Sequence, residues 1–107
     1  MSNDELNRLV CERVLSDKPH IAEQGTVVGW THEGVYHEGT PDFCGDWAAF
    51  GLLLTHLRPR VPRLILDDDS ATARVLGSDE KTYCNGYDEA IQRALVLAAL
   101  KAYGVEV

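Results

Sequence analysis

Apolar and polar positions along the chain fall into blocks that read as three helices and two pairs of strands. Leu6, Leu9, Val10 and Val14 recur at i, i+3, i+4 and i+8, the stripe of an amphipathic helix over residues 4–15. Ser2 and Glu5 have capping-box spacing at its start, and Asp4 and Glu5 place negative charge in its first turn. Asp17, Lys18 and Pro19 stop it. Thr26, Val27 and Val28 then lead to Trp30, and Val35, Tyr36 and His37 follow. Glu33-Gly34 lies between these β-prone runs and supplies the turn of a hairpin. Gly25, Gly29, Gly34 and Gly39 recur here, which predicts short, irregular strands.

A loop over residues 39–45 carries Pro41 and Asp42. Asp46 is placed to cap a second helix over residues 47–58, whose apolar face is Trp47, Phe50, Leu53, Leu54 and Leu57. Pro59 ends it, because proline lacks the donor and disfavours a helical predecessor. Residues 61–66 read as a strand with Pro62 near its start or on an edge, 67–70 as a turn, and 72–76 as the returning strand. The last helix begins at Asp88 and Glu89 and ends at Gly104, with Lys101 in its final turn. Its interior, residues 94–100, has no polar position, so it needs cover on more than one side. It is then either the central helix of the fold or part of an oligomer interface. The order is α-ββ-α-ββ-α. It predicts an α+β fold, an α/β/α sandwich with mainly antiparallel strands in one layer.

Charge narrows the range of partners. The chain has 107 residues, with 17 acids against 10 Lys and Arg and a formal net charge of −7. That length suits one domain over residues 1–107. The acidic balance argues against a nucleic-acid polymer, whose phosphates need clustered Lys and Arg. No stretch approaches the roughly 20 apolar residues that span a membrane. The acidic start, Met1-Ser2-Asn3-Asp4-Glu5, is unlike a signal peptide, so a cytoplasmic location is expected. Cys11, Cys44 and Cys84 are an odd, widely spaced set, and in a reducing cytosol they read as free thiols.

Several residues carry candidate chemistry. His20, His32, His37, His56, Cys44 and Cys84 are zinc-ligand types, but no C-x-x-C pair is present and His32 to His37 is one residue too long for H-E-x-x-H. Exposed hairpin histidines are the plainer reading. Residues 67–69 are three successive aspartates, yet they lack the alternation of a calcium loop and read as a solvated turn. Cys44 and Cys84 precede helix starts, where a thiol can be activated, but nothing in the sequence pairs either with a base. Nucleotide-fold and hydrolase signatures are absent. The middle of the chain is more suggestive. Trp30, His32, Tyr36 and His37 precede Arg58, Arg60 and Arg63, and aromatic faces with arginine forks suit a small phosphate-bearing ligand. Phe43 and Trp47, at the head of an amphipathic helix, read as core. The acids at 67–69, 79–80 and 88–89 read as solubility or as a surface for a basic protein.

Three segments carry a resemblance to the phage ABA sandwich domain proteins. They are Glu5-Leu6 with Leu9-Val10, Pro41-Asp42-Phe43-Cys44-Gly45-Asp46 running into Trp47-Ala48-Ala49, and Ala90-Ile91 with Leu100-Lys101-Ala102 and Gly104-Val105-Glu106. The resemblance implies a phage or prophage origin, the α/β/α sandwich and no assigned catalytic residues. Small non-structural phage proteins often act against host defences. The expected function is therefore a non-enzymatic, cofactor-free binding protein in the host cytoplasm. It would sequester a nucleotide immune signal through Trp30, His32, Tyr36, His37, Arg58, Arg60 and Arg63, or occupy a basic host defence protein. The alternatives are a small cysteine-dependent enzyme and a module that homo-oligomerises through the C-terminal helix.

Overall fold

A computed structural model describes residues 2–61, 63–67, 72–76, 83–87 and 90–107. Helix α1 spans Asn3–Leu9, and Ser2 caps it by accepting the Glu5 N–H, as the capping-box spacing implies. The chain then widens into a π-type turn, Val10–Val14, where the Leu15 N–H reaches back five residues to the Val10 carbonyl. Ser16 follows in a left-handed conformation (φ 56°). The Asp17 N–H closes the end on the Cys11 carbonyl at 2.8 Å. This irregular exit turns Asp17 inward.

Strands β1 (Lys18–Ile21), β2 (Val27–His32) and β3 (Val35–Glu38) form one antiparallel sheet in the order β1-β2-β3. Glu33 and Gly34 both have positive φ, so the predicted hairpin turn is of the two-residue type that matches strand twist. Trp30 pairs with His37 and Thr31 with Tyr36, which places Trp30, His32 and His37 on one face and Tyr36 on the other. On that other face Tyr36 packs edge-on against His20. It also lies over Gly29, where an added Cβ would sit 2.6 Å from both the Tyr36 ring and the His37 carbonyl. A side chain at Gly29 would displace Tyr36.

Helix α2 spans Trp47–Leu57, with the Asp46 carboxylate accepting the Ala48 N–H at 3.1 Å. Strands β4 (Leu64–Asp67), β5 (Thr72–Leu76) and β6 (Tyr83–Tyr87) form a second antiparallel sheet in that order. Helix α3 spans Ile91–Ala102 and packs on β5 and β6, with further contacts to α1, the wide turn and α2. Ala94, Leu95, Val96, Ala98, Ala99 and Leu100 are fully buried within one copy of the chain. The apolar run is thus that of a central helix, and its cover requires no second copy.

The fold is α+β with mainly antiparallel strands, as the pattern predicts. Two details differ. Each strand pair gains a third member, and the described strands hydrogen-bond as two separate three-stranded sheets. The additional strand β1 reads Lys-Pro-His-Ile and is exposed throughout, so no apolar alternation announces it. Its proline is tolerated because β1 is an edge strand. The predicted turn at 68–70 and the helix start at Asp88 and Glu89 lie outside the described residues, as does Pro62.

Candidate functional site

The residues proposed for one pocket occupy three places. Trp30, His32 and His37 line a hollow of about 210 Å³ between the first sheet and the start of α2. Its apolar walls include Leu15, Ala49 and Leu52. Arg60 lines an adjoining hollow of about 310 Å³, with His32, His56 and Thr55. His32, Ala48 and Leu52 border both, so the two hollows share a wall. Arg58 and Arg63 instead face a separate hollow of about 320 Å³, walled by Leu54, Val61, Leu64 and Leu66. Tyr36 lies on the far face of its sheet. The seven expected residues therefore do not converge: four of them surround the paired hollows and three do not.

Trp30 is a structural wall rather than an open platform. It is 2% exposed, and its Nε1–H donates to Thr40 Oγ1 at 2.9 Å. That bond satisfies the buried indole donor. His32 is the pivot between the hollows. Its Nδ1 donates to Asp17 Oδ1 at 2.5 Å, and the Asp17 side chain is only 5% exposed. A carboxylate only accepts, so this bond assigns the His32 proton to Nδ1 and leaves Nε2 directed towards Glu33, 4.0 Å away. The irregular exit from the wide turn is what brings Asp17 under β2. Asp17 carried no signal in the sequence beyond its place as a helix stop.

His56 was likewise not singled out for this pocket. It sits on the last turn of α2, with its ring 6.5 Å from that of His32. Burial lowers its pKa from the ordinary 6.5, and the Arg60 charge lowers it further. A hydrogen bond with the Val14 backbone opposes this, His32 adds to the lowering and Asp17 offsets part of it. Arg60 is held along the helix end by donating from Nη1 to the His56 carbonyl at 2.8 Å. The second hollow thus gathers the Arg60 guanidinium and the His56 imidazole, which donate to an anion once His56 is protonated, beside the Glu33 carboxylate; the His32 Nδ1 proton is engaged by Asp17 and the Thr55 hydroxyl donates to the Gly51 carbonyl.

The Cys11 and Cys44 thiols are buried. Cys11 is fully enclosed, and burial, then the Asp17 charge, push its pKa up to about 12. Cys44 is 5% exposed. The Cys84 side chain lies outside the described residues. Among the described residues, no group of three or more His, Cys, Asp or Glu side chains is placed to hold a metal. No helix among them is long and apolar enough to cross a membrane.

Trp47 corrects an expectation. It heads the apolar face of α2 in sequence, yet it is 60% exposed and makes an edge-on contact with Phe50, rings 5.2 Å apart. The buried face is Ala49, Phe50, Leu53 and Leu57, rotated away from position 47. Phe43 is fully buried, as expected.

The sequence matches no protein-family model, and it matches no curated protein. The solved structures do contain a similar molecule. The fold is similar to that of a phage protein. That protein is from Bacillus cereus ATCC 14579, and the alignment covers 100% of this chain and 92% of that one, with a TM-score of 0.72 and 14% identity. At that identity the likeness concerns the fold.

Proposed function

We propose that this is a phage-encoded binding protein that acts in the host cytoplasm by sequestering a small, phosphate-bearing ligand of nucleotide type. The observation that carries this reading is the pair of hollows joined at His32, one mainly apolar with Asp17 and Asp46 at its wall, the other holding Arg60 and His56 beside Glu33. Together they measure about as much as a small-molecule site, which is typically ~300–1,000 Å³. A heteroaromatic base fits the apolar hollow, bordered by His32 and His37. The phosphate lies beside Arg60, Thr55 and His56. An anion there favours the protonated imidazole of His56, so binding takes up a proton and strengthens as pH falls.

The phage assignment rests on the shared fold and on the resemblance to ABA sandwich proteins, and the counter-defence role rests on that setting. Cys11, fully buried and with its pKa pushed up to about 12, makes a poor nucleophile.

Calorimetric titration with cyclic mono-, di- and trinucleotides tests the reading. The expected result is saturable binding of at least one of them. Arg60→Ala should weaken it at least tenfold and Arg63→Ala should leave it unchanged. Binding of none, or a loss confined to Arg63→Ala, overturns it.

A second reading has its own observation. Trp47 and Leu52, 60% and 45% exposed, stand on a helix without a charged residue. Exposed tryptophan of this kind is enriched where proteins meet. Occupancy of a host defence protein through an apolar contact would use that face. In a strain protected by a nucleotide-signalling defence, this reading expects Trp47→Ala to abolish rescue of plaque formation and Arg60→Ala to preserve it. The sequestration reading expects the opposite.

A further inference from the structure

Arg58 and Arg63 stand outside the paired hollows. They line a hollow of about 320 Å³ where the end of α2 meets β4. Its other described walls are apolar: Leu54 from α2, Val61 from the connection, and Leu64 and Leu66 from β4. Leu54, Val61 and Leu64 are partly buried against the core, and Leu66 is 38% exposed. Alternation along β4 sets Leu64 and Leu66 on the same face of this edge strand. None of the described residues that line the hollow is acidic. Among the described residues, neither guanidinium has an ion-pair or hydrogen-bond partner.

The dipole of α2 favours a cation at its C-terminal end, which accounts for Arg58. It does not account for Arg63, which precedes β4. Two unpaired guanidiniums make this hollow a local positive site on a chain of net charge −7. Guanidinium forks match the oxygens of a carboxylate or a phosphate. The leucine and valine walls match an apolar body, which gains by leaving water. We propose that this hollow binds a small amphiphilic anion, a carboxylate or phosphate monoester on an apolar chain. Arg58 and Arg63 hold the anionic head, and Leu54, Val61, Leu64 and Leu66 receive the chain. The volume is at the lower end of the ~300–1,000 Å³ of small-molecule sites, which suits a short chain. This site is independent of the paired hollows and of the nucleotide reading.

The test is a two-dimensional NMR titration of the ¹⁵N-labelled chain. The probes are octanoate and octyl phosphate, each below its micelle concentration. Octanol is the uncharged comparator, and acetate is the anion without a chain. The expected result is saturable shifts at the backbone amides of Arg58, Val61, Leu64 and Leu66, with octanol and acetate each at least tenfold weaker. Arg63→Gln should weaken binding at least tenfold, Arg58→Gln and Leu66→Thr several-fold, and Arg60→Ala should leave it unchanged. Both arginines of the site are exposed, so their variants should keep the fold, which unchanged thermal melts would show. Tighter binding of octanoate assigns the site to a carboxylate, and tighter binding of octyl phosphate assigns it to a phosphate monoester. The proposal is overturned if neither probe saturates, or if octanol binds as tightly as octanoate. It is also overturned if the shifts survive both arginine substitutions.

Discussion

Helices α2 and α3 have opposite fates for their composition. Helix α2 carries no charged residue, yet Trp47 and Leu52 stand in solvent. Helix α3 contains Arg93 and Lys101, yet it holds the most enclosed stretch of the chain. The difference is in their neighbours. The second sheet, α1 and the wide turn all pack on α3, whereas α2 buries one face and leaves the other open. Hydrophobicity makes a helix buriable, but surrounding elements decide whether it is buried.

Truncation should break the comparison most visibly. Leu95→Ala, in the enclosed part of α3, should lower unfolding free energy by about 2–5 kcal/mol. Trp47→Ala, despite removing a larger side chain, should cost less than about 1 kcal/mol. Urea midpoints measure both. Similar losses at the two sites would mean that Trp47 is covered in solution, as by a second copy.

The helix starts sharpen the contrast. Asp46 caps α2 by its side chain, whereas α3 has Ala90 at that position and no side-chain cap. Asp46→Ala should cost about 1 kcal/mol, and Ala90→Ser should stabilise by about 0.5–1 kcal/mol. Thermal melts of the two variants are sufficient, and no gain from Ala90→Ser would show that the α3 start has no room for a cap.

The smallest expected effect is a pH dependence at the open end of α2. His56 has a lowered pKa in the folded chain, so the unfolded chain takes up its proton first as pH falls. Above about pH 6.5 both states are neutral at this residue and it contributes no slope. Below that, stability should decline with falling pH, levelling off only once the folded-state pKa is passed. His56→Gln should remove this component from the profile of urea midpoints between pH 7 and 5. Persistence of the full slope would assign it to other groups. An anion in the neighbouring hollow should also flatten it, which links the measurement to the proposed ligand.

Much of the fold was legible in the chain. The stripe at Leu6, Leu9, Val10 and Val14, the Ser2 and Asp46 caps and the Glu33-Gly34 turn are local features, and each is where short-range chemistry puts it. The strand β1 was not legible, because an exposed edge strand carries no apolar alternation. The candidate site was half legible. Trp30, His32, His37 and Arg60 were readable as a type of chemistry, but Arg58 and Arg63 belong to another hollow and Tyr36 to another face. Asp17 gave no signal for a site, because it matters through a partner distant in sequence, and His56 was readable only as a possible metal ligand.

The sequence by itself therefore determined where α1 and α2 begin and where the first hairpin turns, and that an apolar helix would need cover on more than one side. Those outcomes depend on residues within a few positions of one another. Only the tertiary structure decided that the strands split into two sheets, that Trp47 stays exposed and that Asp17 reaches His32. These depend on which segments meet across the fold, and a linear pattern of residue types does not encode that distance.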